Sequence, residues 1–110
     1  MAKKPSPADD LSPFAAPALL VLTTLADGPK HGYAIMQDAE RLSGQPLGPG
    51  TLYAALARLE RRGLIEALPT DERRRPYRLT GLGASTLEAH LTHLKAFAGR
   101  ALGRLEGGAA

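Results

Sequence analysis

Apolar positions fall in blocks along the chain, and their spacing predicts four helices and one hairpin. Residues 14–26, FAAPALLVLTTLA, are apolar on nearly every side. Pro17 suits a first helical turn, where its missing N–H costs nothing. Leu19, Leu22 and Leu25 recur at helical spacing, and Leu20 and Val21 widen the stripe, so this helix is expected to be buried or to lie in a dimer interface. Asp27-Gly28-Pro29 ends it. Residues 31–43, HGYAIMQDAERLS, predict a second helix with Ala34, Ile35, Ala39 and Leu42 inward and Gly44 closing it. A turn-rich GQPLGPG follows. Residues 51–62, TLYAALARLERR, predict a third helix. Its Leu52, Ala55, Leu56 and Leu59 form one clean stripe at i, i+3, i+4 and i+7, and Thr51, Ala54, Arg58 and Arg61 fall on the opposite side.

After Gly63 the period changes. Residues 64–68 and 77–80 are short, alternate partly, and flank a polar turn containing Arg73, Arg74 and Arg75, which predicts a two-stranded hairpin with an Arg-rich tip. Two strands alone are marginal, so the hairpin must pack on the helices. The last element, from about Leu82 to Leu105, carries Leu87, Leu91, Leu94, Ala98, Ala101 and Leu105 in steps of four and three, an a/d heptad pattern. That face exceeds what a small three-helix head covers, so a second copy of the chain is the expected cover, with help from Leu19 and Leu22 of the first helix. The fold class is thus mainly α with a small β-hairpin. A winged helix-turn-helix domain is expected over 14–80 and a C-terminal dimerisation helix over 81–106. A disordered arm over 1–13, rich in Pro and Ser, and a frayed tail over 107–110 complete the reading.

Composition narrows the chemistry. The chain has 110 residues, enough for one domain with an appended element. It has no Cys, which excludes disulfide scaffolds, thiol nucleophiles and Cys-ligated metal sites. The longest apolar run, Ala18 to Leu22, is far too short to span a membrane, and no signal peptide is recognisable behind Lys3 and Lys4, so a cytoplasmic protein without membrane contact is expected. The net charge is +3, and residues 58–79 hold that whole excess, with seven Arg against four acids. Clustered arginine suggests an anionic partner, most often nucleic acid. His90 and His93 lie three apart near Glu88, but suitable third and fourth ligands are missing, so no metal site and no cofactor are expected. Gly48-Pro49-Gly50 and Gly81-Leu82-Gly83 lack the rest of a nucleotide-binding fingerprint, and no catalytic constellation supports an enzyme.

Two helices joined by a turn and followed by a basic hairpin point to double-stranded DNA as partner. A helix is narrow enough to enter a major groove. Small Ala54 and Ala57 permit close approach, and Arg58 and Arg61 can bond guanine edges or phosphates. Gly50 leaves room at a helix N-terminus that favours phosphate, and Lys30 and His31 precede a second such terminus. Arg73, Arg74 and Arg75 suit backbone or minor-groove contact.

The run GPGTLYAALARLERRGLIEALPTDERRRPYRLTGLG, with HGYAIMQDAE upstream, resembles the PadR family of bacterial transcriptional regulators. Its most specific parts are Gly50-Thr51-Leu52-Tyr53, Arg58-Leu59-Glu60, Gly63-Leu64-Ile65 and Tyr77-Arg78-Leu79-Thr80, and the resemblance extends over residues 19 to about 95. It implies a homodimeric winged-helix repressor of a pseudo-palindromic operator, paired through the C-terminal helix, in the short subgroup with a single dimerisation helix. It also implies DNA contacts by Tyr33, Thr51, Tyr53 and Arg58, and a cleft between protomers that takes a small hydrophobic effector. Members often carry a Trp fourteen positions beyond the Thr of the Leu-Thr motif; here that position is Leu94, the chain has no Trp, and Phe97 is the nearest aromatic. Two other readings stay open: a winged-helix module that binds protein, and a small-molecule-binding protein without specific DNA affinity.

Overall fold

The computed structural model describes residues 16–70 and 73–108. The elements are α1 (Pro17–Thr24), β1 (Lys30–His31), α2 (Gly32–Ser43), α3 (Pro49–Arg61), β2 (Ile65–Ala67), β3 (Pro76–Leu79) and α4 (Gly81–Gly108). The arm expected over 1–13 lies outside the described residues. So do Phe14 and Ala15, with which the first helix was expected to begin.

The core is a junction of all four helices with β2. Leu19, Val21, Leu22 and Leu25 meet Ile35 of α2, Leu52, Ala55, Leu56 and Leu59 of α3, Ile65 of β2 and Leu87 of α4. The stripe predicted for α3 is therefore the face that locks it down. In α2 only Ile35 and Ala39 of the expected inward set are buried; Ala34 is half-buried and Leu42 is exposed. Leu42 lies seven residues beyond Ile35, about 10 Å along the helix axis, past the reach of the core cluster. Buried Thr24 satisfies its hydroxyl by donating to the Val21 carbonyl at 2.8 Å.

The expected hairpin gains a third strand. The sheet is antiparallel in the order β1-β3-β2, with Lys30 opposite Tyr77, His31 opposite Pro76, and Ile65, Glu66 and Ala67 opposite Leu79, Arg78 and Tyr77. Lys30 and His31 occupy an edge of β3 that a two-stranded hairpin would leave unpaired. His31 was expected as the first helical residue; it is extended, and α2 starts one residue later.

The end of α3 and the start of α4 are joined tightly. Gly63, at φ +74°, takes the left-handed conformation that ends α3. The Leu64 and Gly63 N–H groups bond back to the Leu59 and Glu60 carbonyls at 3.0 Å each, a complete Schellman closure. Thr80 then caps α4: its hydroxyl accepts from the Gly83 N–H at 3.0 Å and donates to the Gly63 carbonyl at 2.6 Å. From there α4 runs 28 residues, about 42 Å at helical rise. It continues through Gly107 and Gly108, where a frayed tail was expected, because the backbone ladder needs no side chain to carry on.

Candidate nucleic-acid interface

The exposed side of α3 forms the centre of the site. Gly48 is extended, and Pro49 opens the helix in its first turn, so the N-terminal amides of α3 are not covered by a capping side chain. Burial of Leu52, Ala55, Leu56 and Leu59 turns Gly50, Thr51, Tyr53, Ala54, Ala57, Arg58 and Arg61 outward, and all seven are exposed. Gly50, Thr51, Ala54, Arg58 and Arg61 line a shallow open groove of about 520 Å³.

The wing closes on the other flank. His31, Tyr33 and Tyr53 share a cleft of about 410 Å³ with Arg73, Arg74 and Arg75. The sequence therefore named three separate segments whose side chains the fold gathers into one basic cleft. Among the described residues Arg58, Arg61, Arg73, Arg74 and Arg75 form no ion pair. Arg78 is different: it bonds Glu66 across β2 and β3 at 2.5 Å. Tyr53 leans on the start of α2, where a Cβ at Gly32 would stand 3.0 Å from its hydroxyl oxygen. Tyr77 and Met36, which were not among the expected site residues, also line the cleft. The register of Tyr77 opposite Lys30 brings it there, and no local signal announces that pairing. Partial burial, reinforced by Glu60 and Tyr53 and opposed by Arg75, pushes the Tyr77 phenol above its ordinary 10.0, so it stays a hydrogen-bond donor at neutral pH.

Lys30 does not join this cleft. Its ammonium donates to the Thr24 carbonyl and to the Asp27 carboxylate, and Asp38 Oδ2 lies 3.9 Å away. The hydrogen bond and charge of Lys30 hold the Asp27 carboxyl below its ordinary 3.8. Lys30, expected among the DNA-contacting residues, is in this structure an internally paired cation that faces three acceptors of its own chain.

The residues expected at a dimer face divide in two. Leu19, Leu22 and Leu87 are buried in the core of a single chain, so their area is already spent there. Leu91, Ala98 and Leu105 are exposed, and Leu94 and Ala101 only half-buried. Phe97 is 59% exposed and borders, with Arg100, Ala101 and Arg104, a groove of about 360 Å³ on α4. Among the described residues no group of three His, Asp or Glu could hold a metal ion, and no helix is long and apolar enough to cross a membrane.

Three helices, a three-stranded sheet and an arginine-tipped loop flanking an outward helix define a winged helix-turn-helix protein. Residues 21–89 match the transcriptional regulator PadR-like family, and the chain belongs to it. It is 39% identical over 92 residues to the transcriptional regulator Rv3488 of Mycobacterium tuberculosis, covering 81% of this chain and 85% of that one. It is 49% identical over 82 residues to an uncharacterized 37.1 kDa protein in transposon TN4556 of Streptomyces fradiae. That match covers 74% of this chain, which spans only 24% of that longer relative. Among solved structures it is similar to a PadR family transcription regulator from Clostridium difficile R20291, with a TM-score of 0.70 and 28% identity, over 81% of this chain and 96% of that one.

Proposed function

We propose that the protein is a homodimeric, sequence-specific DNA-binding regulator that represses from a pseudo-palindromic operator. The observation that carries this reading is the gathering of exposed cations on one side: Arg58 and Arg61 on the outward face of α3, and Arg73, Arg74 and Arg75 on the wing beside it. In this reading α3 enters the major groove. Ala54 and Ala57 allow close approach, Arg58 and Arg61 meet guanine edges or phosphates, and Tyr33, Tyr53 and His31 meet the backbone together with the wing. The exposed apolar face of α4 pairs two chains, and the two α3 helices enter successive major grooves about 10 bp apart. A small hydrophobic effector between protomers, near Leu94 and Phe97, acts by favouring one separation of the two heads.

Fluorescence anisotropy against the DNA upstream of the protein's own gene, with a scrambled duplex as control and at two salt concentrations, tests this. Specific binding is expected to survive added salt with a clear gap over the scramble, while log affinity falls with log salt by roughly 0.9 per phosphate neutralised. Arg58→Ala is expected to weaken operator binding by about 1–3 kcal/mol, roughly five- to 150-fold, and to leave the oligomeric state unchanged. Equal, salt-erased binding to both duplexes, followed by failure of a random-sequence selection, would overturn the proposal in favour of a protein-binding winged helix.

A further inference from the structure

The backbone of Lys30 and its side chain serve two different parts of the molecule. The backbone lies in β1, opposite Tyr77 of β3, and β3 begins at Pro76, directly after Arg75 of the wing. The ammonium is fastened to the Thr24 carbonyl at the end of α1, to Asp27 in the following turn, and stands 3.9 Å from Asp38 of α2. A protonated lysine has three donors and no acceptor, and here three acceptors face it. A cation at the C-terminal end of α1 also complements the helix dipole. β1 is only two residues long, so its ladder to β3 is too short to hold a strand by itself.

We infer that Lys30 is a positioning residue for DNA binding: its ammonium anchors β1 to α1 and α2, and β1 in turn sets the angle at which the wing arginines face α3. This inference rests on the proposed DNA-binding function, but its structural half can be read without DNA. A direct phosphate contact by Lys30 would require breaking the bonds to Thr24 and Asp27, and its charge is already balanced by two carboxylates.

The test uses the full chain carrying Lys30→Met, which keeps the aliphatic stem and removes the cation. Amide exchange at position 30 and at Tyr77, the pair that face each other across β1 and β3, is expected to rise about tenfold while the α3 core amides of Leu52 and Leu56 keep their protection. On a selected operator, replacing Arg73, Arg74 and Arg75 together by Ala is expected to cost at least about tenfold in affinity in the wild-type background and less than about threefold in Lys30→Met, since a loosened wing no longer presents them. Unchanged exchange at position 30 and at Tyr77, or exchange that rises equally in α3, overturns the inference. So does an equal cost of the wing substitution in both backgrounds, which marks Lys30 as an independent contact. If no duplex is bound specifically, the proposed function fails while the exchange measurement still decides the anchor. Should Lys30→Met not fold, Asp27→Ala removes one acceptor at an exposed site and is expected to raise the same exchange by about threefold; no rise overturns the anchor.

Discussion

A single missing Cβ decides how closely the long helix approaches the head. At Gly83 a Cβ would stand 1.9 Å from the carbonyl oxygen of Leu64 and 2.9 Å from its carbonyl carbon, and backbone cannot move aside as a side-chain tip can. Gly83→Ala is therefore expected to cost about 1–3 kcal/mol through overpacking, only partly offset by the better helix propensity of Ala, about 1 kcal/mol. Thermal unfolding at fixed protein concentration should show a drop of several degrees, and an unchanged midpoint would mean that α4 stands farther from Leu64 than the structure places it. Tyr77 gives a second residue-scale expectation. Its phenol pKa is raised above 10.0 in the folded chain, chiefly by burial. The neutral form is the one the fold favours, so its contribution is fully present below pH 10 and is lost as pH rises through the folded value. Denaturant melts at neutral pH and at about pH 11 should show an alkaline loss that Tyr77→Phe reduces, with Lys deprotonation contributing equally to both proteins.

At the scale of elements, the joint between α3 and α4 is closed by a short chain of hydrogen bonds. The Thr80 hydroxyl bridges the Gly63 carbonyl and the Gly83 N–H, and the Thr80 N–H bonds the Leu64 carbonyl at 3.2 Å. The end of the outward helix is thus hydrogen-bonded to the beginning of the long one. Thr80→Ala removes both side-chain bonds and is expected to destabilise by about 1–2 kcal/mol, the range for loss of an N-cap, with Thr80→Ser close to wild type in the same melt. The elements differed in how far they could be read in advance. The α3 stripe at Leu52, Ala55, Leu56 and Leu59 was legible because a helix places those positions on one face whatever surrounds it. β1 was not legible: two residues carry no period, and only the edge of β3 makes Lys30 and His31 a strand.

At the scale of the whole molecule, α4 leaves more apolar surface than one chain covers. Beyond Leu87, only Leu94 and Ala101 are even half-covered among the described residues, and Leu105 is 71% exposed. Burying a leucine side chain is worth about 1.5–3 kcal/mol, so a row of them supplies a driving force for pairing. Sedimentation is expected to show a dimer at micromolar concentration, and Leu91→Glu with Leu105→Glu is expected to shift it to monomer while the helical content of the head is retained. A wild-type monomer under those conditions would remove the dimer from the proposed function.

Local spacing alone determined the four helices, their order, the outward side of α3 and the heptad face of α4, because a helix's periodicity is a property of neighbouring residues. The basic site was also legible in its parts, since Thr51, Tyr53, Arg58 and the wing arginines carry their chemistry with them. What joins those parts was decided only by the tertiary structure. The packing of α1 against α4 spent Leu19, Leu22 and Leu87 inside one chain, and the core's limited reach left Leu42 in solvent. The β1–β3 pairing drew Tyr77 into the cleft, while the fold's own carboxylates and a helix-end carbonyl took up Lys30. Each of these outcomes depends on residues distant in the chain coming within bonding range, and periodicity carries no information about which distant groups will meet.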